Sequence, residues 1–187
     1  FSENFDSVTP PNLPSNWDKI DVAGQQGDWK TNSGTVHPQN YQSHSLPNLA
    51  YFNSWSASSG SSTRLFYNQS ILLPSTSKTE LSLWMFHDTG YSNSDDRLQL
   101  QVSTDNGANW SDIGNPILRY DSSSSWKLHT FDLSSYAGQN ILIGLLGIAN
   151  YGNDIHVDDI MLYETLYKEN ETTILQPGPG KNDGTDD

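Results

Sequence analysis

The 187-residue sequence contains no cysteine. Disulfide frameworks, thiolate metal sites and cysteine nucleophiles are therefore excluded. Secreted eukaryotic domains of this aromatic, loop-rich type often carry disulfides, so the absence points to a bacterial or archaeal protein. No apolar run approaches the length of a membrane span. Amphipathic helical periodicity is nearly absent too, which argues against a helical enzyme or bundle. Basic residues are scarce: nine Lys and Arg stand against 22 Asp and Glu, a formal net charge of −13. Such a chain repels phosphate backbones, and it has no Gly-rich phosphate loop, so nucleotides and nucleic acids are not expected partners. The acidity suits hard cations such as calcium, which take oxygen ligands. Solubility alone also accounts for the net charge, though not for where the acids cluster.

Catalytic signatures are missing as well. There is no H-E-x-x-H and no G-x-S-x-G. Paired carboxylates of the glycosidase kind are plentiful, but spacing along the chain does not show which of them face each other across a cleft. An independent enzyme is not expected.

What remains is a series of strand-like segments separated by turns. Leu81–His87 is apolar and aromatic. Arg97–Ser103 alternates, with Leu98, Leu100 and Val102 on one face. Thr104–Gly107, T-D-N-G, is a hairpin turn signal, and Asn109–Ile113 is the expected return strand. Trp126–Leu133 alternates again, Asn140–Ile148 is a buried apolar run, and Ile155–Tyr163 is the last strand. Earlier candidates are Ser2–Phe5, Trp17–Val22, Asp28–Thr31, Ala50–Asn53 and Ser62–Gln69. This pattern predicts an all-β sandwich or barrel over residues 1–167. Residues 168–187 are charged and rich in Pro and Gly, and read as a flexible linker towards another domain.

Three constellations invite a functional reading. The first is H-V-D-D-I-M-L-Y-E, His156–Glu164, where adjacent carboxylates Asp158 and Asp159 lie in an apolar strand. One of them must face inward or sit at a strand end, and an inward carboxylate needs a partner or a cation. The alternatives are calcium, or hydrogen bonds to turn amides and a salt bridge. The second is the loop carrying His87, Asp88, Tyr91, Asp95, Asp96 and Arg97, suited either to sugar hydroxyls and a metal or to a self-paired turn. The third is the aromatics. Trp29, Trp84 and Trp110 fall in strand patterns and are expected in the core. Trp55, Tyr51, Tyr91, Tyr120 and Tyr151 lie in or beside polar loops, where they form a sugar-stacking surface or are scattered exposed rings.

In order, E-N-F-D-S, N-W-D-K-I-D-V-A-G-Q-Q-G-D-W-K-T, the Leu81–Trp110 segment, W-K-L-H-T-F-D-L-S-S-Y-A-G-Q-N-I-L-I-G-L-L-G and I-H-V-D-D-I-M-L-Y-E resemble the MAM-like and cleaved-adhesin (choice-of-anchor type) jelly-roll domains of bacterial surface and secreted proteins. The resemblance covers roughly Ser2–Glu164. It implies a two-sheet antiparallel jelly roll without a catalytic centre, located outside the cell or on its surface. It implies a role in adhesion or scaffolding. A carbohydrate-binding module targeting an attached hydrolase and an accessory domain of a secreted protease are the alternatives. It also implies a structural calcium ion near the chain ends, with Glu3, Asp21, Asp158 and Asp159 in the matching positions and Gln25 as a possible further oxygen. The family loop has additional Asp residues where this chain has Ala23 and Gln25. The partners expected are a neighbouring domain of the same chain and a glycan or a host or matrix protein.

Overall fold

The structure is a computed structural model that describes residues 1–24 and 26–165. Gln25 and the expected linker at 168–187 lie outside the described residues. In chain order the first strands are β1 (Ser2–Glu3), β2 (Trp17–Ala23), β3 (Trp29–Asn32), β4 (Leu49–Phe52), β5 (Ser62–Tyr67) and β6 (Ile71–Leu72). They are followed by β7 (Lys78–His87), β8 (Arg97–Ser103), β9 (Ser111–Leu118), β10 (Ser125–Asp132), β11 (Asn140–Ile148) and β12 (Ile155–Thr165).

These strands make two antiparallel sheets packed face to face, a β-sandwich. One has the order β10-β7-β12-β4-β3, with β1 added against β12; the other has the order β2-β5-β11-β8-β9, with β6 added against β11. The alternation in β8 is realised as read: Leu98, Leu100 and Val102 are buried in the core. They meet Leu81, Leu83 and Met85 of β7, and Ile143 and Leu145 of β11, in one apolar cluster. Each such side chain, fully withdrawn from water, contributes about 1.5–3 kcal/mol. The T-D-N-G turn has Asn106 and Gly107 at φ 59° and 89°, the left-handed geometry that the pair tolerates. The return strand begins later and runs further than expected. Pro116 fits there because β9 is an edge strand that needs no donor on its outer side.

Two of the expected core tryptophans are elsewhere. Trp29 is fully buried between the sheets. Trp84 lies on the outer face of its sheet, with the His44 ring stacked on it at 3.9 Å. Trp110 precedes β9 and lies over the outer face of the other sheet, beside Phe66. An apolar, aromatic strand pattern does not say which face a neighbouring loop will cover.

The segment 33–48 forms such a cover. It lies across the outer face of the β7–β12 sheet and packs Tyr41 against Phe86. The Val36 N–H donates to Nε2 of buried His156, and Trp126 Nε1 donates to the Gln42 carbonyl. The bulge in β12 lies beneath it: pairing with β7 slips between Asp158 and Met161, and Asp159 takes φ 45°. The extra residue restores the alternation, so Val157 and Ile160 both face the core.

Candidate functional site

Loops from both sheets meet at one end of the sandwich and hold three rings there. Trp55 is 44% exposed. His37 stacks against it, centroids 4.9 Å apart and planes 9° apart. Tyr91 meets it edge-on at 5.3 Å and 68°. Asp154, buried beneath, ties the two residues together: Oδ1 accepts the Trp55 backbone N–H at 2.9 Å, and Oδ2 pairs with the His37 ring at Nδ1 at 3.0 Å. Burial pushes the Asp154 carboxyl up, while the Trp55 amide and His37 pull it back.

The third ring is positioned by Arg119, just past β9 and wholly buried. Its Nη1 donates to Asp88 Oδ1 at 2.8 Å and to the Gly90 carbonyl at 2.9 Å, and its Nη2 donates to the Tyr91 carbonyl at 3.3 Å. Asp88 Oδ1 also accepts from the Gly90 amide and from Asn153 Nδ2, each at 2.8 Å. One guanidinium thus fixes the loop in which Tyr91 holds φ 52°. Asp96 ties in the neighbouring turns, accepting from the Asn150 amide at 2.7 Å and from Ser54 Oγ. Gly152 must stay small here, since a Cβ would sit 2.0 Å from Asp96 Oδ2.

The candidate loop read from the sequence therefore divides by role. Trp55 and Tyr91 come together at the surface. Asp88 and Asp96 are buried anchors that solvent, and hence a ligand, does not reach. Asp95 and Arg97 pair at 3.6 Å on the exposed rim. His87 points away to His129, Nε2 to Nε2 at 2.9 Å. Of the other loop tyrosines, Tyr151 is 67% exposed, whereas Tyr51 lies half-buried beside His156. Sequence reading missed His37, Asp154 and Arg119. A lone His before Pro38 and a lone Arg after a strand carry no local signal; only the end-on meeting of loops 28 to 117 residues apart in the chain gives them a role.

The acidic residues answer the question raised by the Asp158–Asp159 pair. Neither faces the inter-sheet core. Asp158 points to the outer face and is buried under the 33–48 cover. Its Oδ2 accepts the Ser45 amide at 3.0 Å, and its Oδ1 accepts the Asp159 amide at 2.8 Å. Asp159 binds His44 Nδ1 at 2.5 Å and Ser45 Oγ at 2.9 Å. Burial pushes the Asp158 carboxyl up to about 7, with the charges of Asp159 and Asp6 acting in the same direction.

Glu3 lies nearby, sharing with Asp159 a cavity of about 340 Å³ lined also by Ser2, Asn4 and Ser7. Its carboxylate accepts the Phe5 amide at 2.7 Å and Trp17 Nε1 at 3.0 Å. Asp21 does not join this group. It sits on β2 in the opposite sheet and accepts from Thr63 Oγ1 at 3.1 Å. Among the described residues no three His, Asp or Glu side chains converge as a cation site. The oxygens there are the two carboxylates and the Ser45 hydroxyl, the ligand type calcium takes, and the Ser45 and Asp159 amides and His44 Nδ1 are bonded to the same carboxylates.

The fold is a β-sandwich that carries three clustered rings at one end. Residues 1–139 match the model of the Cleaved Adhesin Domain, and the chain belongs to that family. It is 25% identical over 179 residues to Hemagglutinin A of Porphyromonas gingivalis, covering 86% of this chain but only 7% of that protein. The K1 cleaved adhesin domain of Lys-gingipain from Porphyromonas gingivalis W83 superposes with a TM-score of 0.59 at 18% identity, covering 88% of this chain and 98% of that one. TmCBM61, solved in complex with β-1,4-galactotriose, superposes with a TM-score of 0.52 at 20% identity, covering 81% and 90%. At these identities the two solved structures share the fold.

Proposed function

We propose that this chain is a non-catalytic recognition module of a larger bacterial secreted or surface protein, and that it binds glycan through the His37–Trp55–Tyr91 surface. The observation that carries this reading is the exposed Trp55 ring, held from below by Asp154 and flanked by two further rings. A flat indole face with polar edges suits the C–H face of a sugar ring, while Tyr and His supply hydrogen bonds to its hydroxyls. Rings fixed by a buried network lose little entropy on binding. The sandwich relative bound to galactotriose supports the choice of ligand class, and the family supports adhesion. A glycan array repeated with Trp55→Ala and Tyr91→Ala tests the reading. Shared loss of signal with unchanged folding is expected; arrays blank for the unmodified chain would remove the glycan reading for the sugars tried.

A structural calcium ion is the second element of the proposal, supported by Asp158 being buried beside Asp159 and Asp6 with no cationic side chain bonded to it. Asp158 and Asp159 would hold it, with Glu3 facing the cavity that Asp159 lines and main-chain carbonyls completing the six to eight oxygens. The ion would remove the mutual repulsion of these carboxylates and tie β1 to β12. Asp21 has no part in this version. Service as an accessory domain beside a secreted protease is compatible with the same surface. No helix among the described residues is long and apolar enough to cross a membrane.

A further inference from the structure

Arg64 stands apart from the other described basic side chains. Lys19, Lys30, Lys78, Arg97, Arg119 and Lys127 each lie within 4.0 Å of a carboxylate oxygen, and Arg64 alone does not. In a chain with 22 acidic residues this is unexpected on charge alone. The Arg64 side chain is not loose. It rises from β5 on the outer face of its sheet, where its Nε donates to Gln101 Oε1 at 2.7 Å. Gln101, itself buried, donates from Nε2 to Asp112 Oδ1 at 2.7 Å. The guanidinium carbon lies 4.5 Å from the centroid of the Trp110 ring, and Trp110 meets Phe66 edge-on at 5.8 Å.

Gly144, on the intervening strand, makes room for this stack: a Cβ there would lie 2.7 Å from Trp110 Cζ3 and 3.0 Å from Arg64 Cδ. Trp110 is pinned in turn by Nε1 donating to the Gly107 carbonyl at 3.1 Å. A relay of Asp112, Gln101 and Nε therefore fixes the plane of the guanidinium, and its Nη1 and Nη2 groups have no acceptor among the described residues. Partial burial disfavours the charged guanidinium, so a compensating anion gains more here than in open solvent.

We propose that this face is a second ligand site, separate from the Trp55 surface, and that it takes a carboxylate-bearing sugar such as a uronic acid. The carboxylate occupies the Nη1–Nη2 fork, which matches its geometry in a bidentate pair. The sugar ring lies along the Phe66–Trp110 edge, and its hydroxyls reach the exposed Asp112 carboxylate. The Asp112 charge acts on the guanidinium without bonding it, so a neutral sugar would leave the Nη1–Nη2 fork without a bonded counter-charge, and the net charge of −13 turns away anions that find no such fork.

Titration of the full chain with trigalacturonic acid tests this, with the fully methyl-esterified trimer as the matched neutral probe and indole N–H resonances as the local readout. The acid is expected to bind at least tenfold more tightly than the ester and to shift the Trp110 resonance. Arg64→Gln should abolish that preference, Arg64→Lys should recover only part of it, and Trp55→Ala should leave it unchanged. The ester comparison alters no residue, so it holds even if an Arg64 variant folds poorly. Equal binding of acid and ester, no binding of either up to millimolar concentration, or acid binding that moves Trp55 and not Trp110 would each overturn the proposal. Loss of neutral-glycan binding in Trp55→Ala bears only on the first site.

Discussion

Arg119 Nη1 lies 2.8 Å from Asp88 Oδ1, and both side chains are shut off from water. The pair joins the end of β9 to the loop after β7. Through the Gly90 and Tyr91 carbonyls Arg119 also holds the loop that carries the Tyr91 ring. Removing one member of a buried ion pair strands the other charge, which costs about 3–5 kcal/mol. Arg119→Met is expected to lower stability by that amount in urea unfolding and to broaden the Tyr91 ring resonances. A cost under about 1 kcal/mol would mean that the loop holds its shape without the guanidinium.

Asp154 bonds the His37 ring and the Trp55 main chain yet is itself buried, so its effect on binding is one of positioning. Asp154→Asn keeps an acceptor for the Trp55 amide but replaces the charged acceptor facing His37. Weakened charge-assisted pairing is expected to cost about 1–3 kcal/mol of stability. Glycan binding should fall several-fold while the set of glycans bound stays the same. A changed specificity instead would place Asp154 in contact with the ligand.

Burial lowers the pKa of His87 to about 4 and that of His156 to about 3. Unfolded, both imidazoles titrate near 6.5. Their folded pKa values are depressed, so below that point the unfolded chain takes up protons that the folded chain refuses. The stability they contribute is complete above about pH 7 and is lost as pH falls. Each contributes a slope of about 1.4 kcal/mol per pH unit between its two pKa values. Asp158, raised to about 7, has the opposite sign: the folded chain holds a proton that the unfolded one releases, which offsets one histidine between about pH 7 and 4. From these three groups the expectation in EGTA is a loss worth one proton from pH 6.5 towards 4, with the lowered His129 adding to the loss and the raised Asp154 opposing it. Urea midpoints across this range should flatten in His87→Asn, and an unaltered slope would contradict the assignment.

Calcium, if it occupies the Asp158–Asp159 region, binds only the folded chain and stabilises it by mass action, by about 2.7 kcal/mol at a hundredfold excess over Kd. The melting temperature is expected to rise when calcium is returned to EGTA-treated protein and to change little with magnesium. Asp158→Asn should remove that response, while Asp21→Asn should retain it. Equal melting with and without calcium would leave the pair to its hydrogen bonds with Ser45 and His44.

The β-sandwich was legible because its strands carry their own signal. Period-two alternation in Arg97–Ser103 and the apolar run Asn140–Ile148 both came out with the bounds read from the sequence, since burial of one face or of both is written into successive residues. The two-residue strand Ile71–Leu72 escaped notice because two residues hold no period. The ring-bearing end was legible only in part. Trp55 and Tyr91 were candidates because an aromatic ring in a polar loop needs a reason. Asp88 and Asp96 looked the same as surface acids, yet they lie under the loops. Their burial depends on Arg119 and Asn150 arriving from distant strands, contacts that no local pattern encodes. The same holds for Asp158 beneath the 33–48 cover and for Arg64 beside Trp110. Sequence alone determined which segments extend and which face of each is apolar, because side-chain alternation is a local property of the backbone. Tertiary structure alone decided which charges are buried, paired or left open, because that depends on what the rest of the chain lays over them.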